Sequence, residues 1–137
     1  MSIQHLLDEA QNQHIKCQKL TEQRDAAAEV TDAGAATYTA AQVVGGLILR
    51  DCAGGARIDV LPTATLLVAA LDKPKIGDIV RCLVINNSDA AEEITITAGT
   101  DGTVPQVDAT QVIPQNTSRM LHIRITGVTT PAYVVYM

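Results

Sequence analysis

From Ile79 onward, apolar segments return at short intervals. Ile79 to Asn86, Ile94 to Ala98, Val104 to Ile113, Met120 to Thr126 and Ala132 to Met137 are separated by Asn87-Ser88-Asp89, Gly99 to Gly102, Pro114 to Ser118 and Gly127 to Pro131. The separators are turn formers, so the segments read as strands. Intervals this short leave no room for crossover helices, which predicts antiparallel pairing and argues against a parallel α/β fold. In Leu121-His122-Ile123-Arg124-Ile125-Thr126 and Ile94-Thr95-Ile96-Thr97 the apolar residues alternate with polar ones. Strands of that kind are half buried, as in a sandwich or barrel. Leu121, Ile123, Ile125, Val134 and Val135 are the expected β-core.

Upstream the signals are local. Thr39-Ala-Ala-Gln42 has the form of a capping box opening one helical turn, Gly45-Gly46 stops it, and Leu47 to Arg50 reads as a short strand. Cys52 to Ala56 makes a Gly54-Gly55 turn. Pro62, Thr63 or Thr65, and the run Leu66 to Leu71 suit a short buried helix ended by Asp72-Lys73-Pro74, with a strand as the alternative.

Ile3 to about Glu29 contains no Gly or Pro and is rich in good helix formers. A helix of about 26 residues would run about 39 Å. Its stripe of Ile3, Leu6, Leu7, Ala10, Cys17, Leu20 and Ala27 is too polar overall for a core helix. It suits a docking arm or a weak coiled coil on a symmetry axis, and a solvated tail is the plainer alternative. The expected organisation is a helical arm over 1–30, a small-residue linker over 31–37 and an antiparallel β-domain over 38–137. The class is mainly β, α+β overall: a long N-terminal helix followed by a sandwich or barrel with one short helix.

Composition narrows the function. Hydrophobic residues make up 47% of the 137, yet the only aromatic rings besides histidine are Tyr38, Tyr133 and Tyr136. A core without Phe or Trp is aliphatic and thin, and subunit contacts are expected to supplement it. The net charge is −5, with three basic and six acidic residues up to position 36 and seven basic and nine acidic beyond it. No basic patch offers itself to nucleic acid or an anionic membrane. Cys17, Cys52 and Cys82 are odd in number and widely spaced, which argues for reduced thiols of a protein made in a cytosol. Met1 to Leu7 lack the basic start and apolar core of a secretion signal.

Candidates for chemistry fail one by one. His14 and Cys17 stand three apart without the second pair that zinc needs. His122 shares a strand face with Arg124 but has no Ser or Asp tied to it by motif. Glu92 and Glu93 are adjacent, and adjacent strand residues point to opposite faces. Gly45-Gly46 and Gly54-Gly55 lack phosphate-loop spacing. Asp51, Asp101 and Asp108 lie in or near loops without a D-x-D-x-D-G series, and the sequons at Asn86 and Asn116 read as turns. No catalytic residue, metal or cofactor is expected.

One further pattern is present. Gly45-Gly-Leu-Ile-Leu-Arg50, Ala56-Arg-Ile-Asp-Val-Leu-Pro-Thr-Ala64, Leu67 to Leu71, Gly77-Asp-Ile-Val and Val84-Ile-Asn-Asn-Ser-Asp-Ala-Ala91, with the terminal Tyr133-Val-Val-Tyr136, resemble a class of tailed-phage virion proteins. The resemblance covers about residues 40 to 137 and leaves out the N-terminal segment. It implies a head decoration, cement or capsid-fibre protein, usually a homotrimer, whose partners are the major capsid protein and itself, on the capsid surface after synthesis in a host cytoplasm. Ile3, Leu6, Leu7, Ala10, Cys17 and Leu20 are then the expected capsid contacts. Tyr133, Tyr136, His122 and Arg124 are the expected oligomer interface. A trimeric tail-fibre knob that binds a receptor or carbohydrate is the alternative.

Overall fold

The computed structural model describes residues 26–105 and 111–137, folded as nine strands and two short helices. The strands are β1 (Ala28–Val30), β2 (Leu47–Arg50), β3 (Arg57–Val60), β4 (Ile79–Asn86), β5 (Ile94–Thr97), β6 (Gly102–Thr103), β7 (Val112–Ile113), β8 (Ser118–Gly127) and β9 (Ala132–Tyr136). The helices are α1 (Ala40–Gly45) and α2 (Ala64–Ala69). The chain is mainly β, in a six-stranded sheet ordered β1-β2-β4-β8-β9-β6 and a three-stranded sheet ordered β3-β5-β7.

Both helices begin where side chains satisfy their free N–H groups. Gln42 N–H donates to Thr39 Oγ1 at 3.2 Å while Thr39 N–H donates to Gln42 Oε1 at 2.8 Å, a complete capping box. Gly46, at φ 86°, supplies the left-handed stop. Thr63 caps α2 through Leu66 N–H. The apolar run after Pro62 is thus helical, and the described residues hold two short helices where the expected fold class had one.

The expectation of purely antiparallel pairing fails. β1 with β2, β2 with β4, β3 with β5 and β6 with β9 are parallel; only β4–β8, β8–β9 and β5–β7 are antiparallel. The crossover from β2 to β4 needs no long helix, because β3 and α2 fill it. Of the strand expected over Val104 to Ile113, Val104 and Pro105 lie outside any strand, Val112–Ile113 forms β7, and residues 106–110 lie outside the described residues; Pro105 lacks the N–H that would continue a ladder.

The boundary near residue 30 also moves. Ala28–Val30 pairs with Ile48–Arg50 and Val30 is buried, so the end of the expected arm is a sheet strand; residues 1–25 lie outside the described residues. The expected linker is fastened down. Ala36 N–H donates to Asp59 Oδ1 at 2.8 Å, Val60 N–H to Ala36 O at 2.8 Å and Tyr38 N–H to Val60 O at 2.9 Å.

Between the sheets lies one aliphatic core. Ile48, Cys82, Val84, Leu121, Ile123, Ile125 and Val135 from the large sheet pack in the same cluster as Ile94, Ile96 and Ile113 from the small one, with Val43 and Leu67 from the helices. Each aliphatic side chain so buried contributes roughly 1.5–3 kcal/mol. Tyr38 and Tyr133 are inside too, and the inner face is complete within one chain. Val134, expected in the core, faces the other way and is half buried.

Candidate functional site

The feature that stands apart from the folded core is the outer face of the six-stranded sheet. Strands β2 and β4 are apolar at both parities: Ile48, Cys82 and Val84 point inward, while Leu47, Leu49, Leu83 and Ile85 are only half buried on the other side. The register lines up Leu47 with Leu83, Leu49 with Ile85, and Leu83 with Met120. Met120 and Ile79 are 39% and 49% exposed. The result is an aliphatic strip across three central strands with no second layer over it among the described residues.

A basic and aromatic strip runs beside it. His122 of β8 stands opposite Arg81 of β4 on one side and Tyr136 of β9 on the other; Arg124 stands between Ile79 and Val134. Tyr136 is 44% exposed. Aliphatic surface joined to Met, Tyr and Arg is the composition found enriched at the centres of protein–protein contacts.

Three of the four residues expected at an oligomer interface, His122, Arg124 and Tyr136, therefore sit together on this face. Tyr133 does not. Its side chain is buried, with the hydroxyl donating to Pro62 O at 2.8 Å and accepting from Gly99 N–H at 2.9 Å. Odd and even residues of a strand point oppositely, so Tyr133 and Tyr136 part company. Ile3, Leu6, Leu7, Ala10, Cys17 and Leu20, like His14 and Asp108, lie outside the described residues. The unexpected members are Leu47, Leu49, Leu83, Ile85 and Met120; unbroken apolar runs such as Leu47-Ile-Leu and Leu83-Val-Ile were the available signal.

A second arrangement is internal. Arg50, which ends the Gly45–Arg50 segment, and Asp59, within the Ala56–Ala64 segment, form a wholly buried bidentate pair at 2.7 and 3.2 Å. Tyr38 hydroxyl donates to the same carboxylate at 2.8 Å. Burial, with the Asp59 charge adding to it, pushes the Tyr38 phenol far above its ordinary range. The Arg50 guanidinium also donates to Asp32 O at 2.9 Å, Gly34 O at 2.7 Å and Asp51 O. Every group is committed, so this cluster holds strands together rather than offering a reactive centre.

The remaining candidates separate. Glu92 is buried and Glu93 exposed, and both lie just before β5 rather than within it. Asp101 sits at φ 62° in the turn before β6, and its carbonyl accepts from Tyr133 N–H. Cys52 and Cys82 are free and buried. No helix of the described residues is long and apolar enough to cross a membrane. Comparison with protein-family models, with curated proteins and with solved structures returns no match.

Proposed function

We propose that this chain is a structural virion subunit, a homotrimeric decoration or cement protein on the exterior of a capsid that stabilises the shell. The observation that carries the reading is the outer sheet face, where Leu47, Leu49, Leu83, Ile85 and Met120 lie beside Arg81, His122, Arg124 and Tyr136. Contiguous apolar surface of this kind marks an association site in a protein of this size. With basic groups on one side of the apolar strip and Glu29, opposite Leu49, on the other, the face favours a partner of fixed register, and a second copy of the chain supplies one. Residues 1–25 then serve as the attachment to the major capsid protein.

Light scattering of the full chain at micromolar concentration tests the self-association. A trimer is expected, and Met120→Glu or Leu83→Glu is expected to release folded monomers, because a charge in a desolvated apolar patch costs several times what it costs on a free surface. A wild-type monomer overturns the reading. Negative-stain microscopy of capsids with and without the protein tests the site of attachment.

One observation favours a receptor-binding knob instead. Thr37, Tyr38, Thr39, Pro62, Thr63, Leu66 and Thr100 line a hollow of about 410 Å³ at the helix end of the domain. That volume falls in the range of small-molecule sites. Specific retention on a glycan array, lost in Leu66→Asp, would establish it.

A further inference from the structure

Two loops at the far end of β2 and β4 bring three carboxylates to one point. Asp51 follows β2, Asp89 and Glu92 lie between β4 and β5, and one oxygen from each is within 4.8 Å of the others. No lysine or arginine among the described residues forms an ion pair with any of them; Arg50 is spent on Asp59.

Glu92 is the informative member. It is 4% exposed. Its Oε1 accepts from Gly54 N–H at 2.7 Å, but its Oε2 is buried with no hydrogen-bond partner. An unmet acceptor on a buried carboxylate is costly, the more so with two further acids beside it. Such a group calls for a positive charge.

The Arg57 guanidinium packs beside Gly55 but makes no ion pair with Glu92, and neutral groups hold the two loops. Asn86 Nδ2 donates to Glu92 O at 2.8 Å and to Ile113 O at 2.9 Å, and Asn86 Oδ1 accepts from Ser88 N–H at 3.1 Å. Cys52 N–H donates to Ser88 Oγ at 3.0 Å, joining the two loops. Ala53 N–H donates to Asp51 Oδ1 at 3.0 Å. Asp51 and Glu92 are thus held in place by the fold, and Asp89 follows the tethered Ser88, which lowers the ordering cost of a ligand.

We propose that Asp51, Asp89 and Glu92 bind a divalent cation, with calcium the preferred ion. All the donors are carboxylate oxygens, the hard ligands that calcium takes at about 2.3–2.6 Å, and their mutual spacing is the compass of a calcium sphere. Water or loop carbonyls complete the shell. The ion would brace the β2–β3 loop against the β4–β5 loop, and this holds whether or not the chain is a virion subunit.

The test uses the full chain, stripped with EDTA and titrated with calcium chloride by calorimetry, with thermal unfolding followed in parallel. One site per chain is expected, with Kd on the order of 10⁻⁶ to 10⁻³ M and a saturable rise in Tm of several degrees. Glu92→Gln keeps an acceptor for Gly54 N–H, and Asp89→Asn alters an exposed residue; each is expected to weaken binding by about tenfold or more. Glu93→Gln should leave it unchanged. Absence of both heat and Tm shift overturns the proposal, as does undiminished binding in Asp89→Asn, which remains decisive if Glu92→Gln fails to fold. Tighter binding of magnesium than of calcium overturns the choice of ion.

Discussion

Arg50 and Asp59 meet at 2.7 Å, both wholly buried, although one belongs to the six-stranded sheet and the other to the three-stranded sheet. A bidentate guanidinium–carboxylate contact is the strong form of such a pair. Here it also fixes the stretch from Val30 to Tyr38, because Asp32 O and Gly34 O accept from Arg50, while Ala36 N–H and Tyr38 hydroxyl donate to Asp59.

Removing one partner leaves the other charge buried and uncompensated. Arg50→Met is therefore expected to cost about 3–5 kcal/mol, a large part of a typical domain's 5–15 kcal/mol, in urea unfolding. The double variant Arg50→Met/Asp59→Leu should recover only part of that loss, since Ala36 N–H and Tyr38 hydroxyl lose their acceptor. Full recovery would show that the pair holds nothing beyond itself.

Alkaline titration gives a second expectation. Burial pushes the Cys82 thiol from 9.0 up to about 12, and burial likewise raises Tyr38 and Tyr133, the latter against the Gly99 N–H, which lowers it. Each is held protonated in the fold, so the unfolded chain releases its proton first. Their contribution is fully present below the unfolded values and is lost as pH climbs toward the folded ones. Stability measured by urea midpoints should decline from about pH 9 upward, and Cys82→Ala should make that decline shallower.

Tyr133→Phe isolates one hydroxyl. It removes the donor to Pro62 O and the acceptor of Gly99 N–H while leaving the ring packed close against Gly102. Two partly or wholly buried backbone groups are left unmatched, at an expected cost of about 1–3 kcal/mol in chemical denaturation. The oligomeric state should not change, because this tyrosine faces inward.

Truncation separates the segment outside the described residues from strand β1. Removing residues 26–30 in addition to 1–25 discards Val30 and the acceptor of Asp51 N–H. The longer deletion is expected to be about 2–4 kcal/mol less stable than the shorter, compared by thermal or urea unfolding. Equal stabilities would mean that β1 adds nothing to the sheet.

Strand β4 was legible to the residue, because Ile79 to Asn86 is bounded by Gly77-Asp78 and Asn87-Ser88, and α1 was legible from Thr39 and Gln42. Both are set by short-range chemistry. β1 was not: Ala28 and Glu29 favour helix, and only pairing with Ile48 and Leu49 makes them extended. The parallel pairs were hidden for the same reason, since strand direction depends on where the chain returns and not on local pattern. Of the outer face, the alternation in β8 disclosed His122 and Arg124, but the apolar runs of β2 and β4 did not say which side would lack a covering layer. Glu92 and Glu93 read only as adjacent strand residues on opposite faces, and nothing in their neighbours announced that Glu92 would be enclosed.

The mixed directions of these strands govern how the domain assembles during synthesis. Leu47 waits for Leu83 and Arg57 for Ile94, whereas among the described residues only β8 and β9 join as a simple hairpin. Contacts between such distant segments are slow to form, on a timescale of milliseconds to seconds. β8, which occupies the middle of the large sheet, is synthesised after its neighbour β4 and after β1 and β2. Until it arrives, β4 has a bare edge and aliphatic side chains on both surfaces, and the nascent chain depends on a chaperone or on speed to avoid clumping.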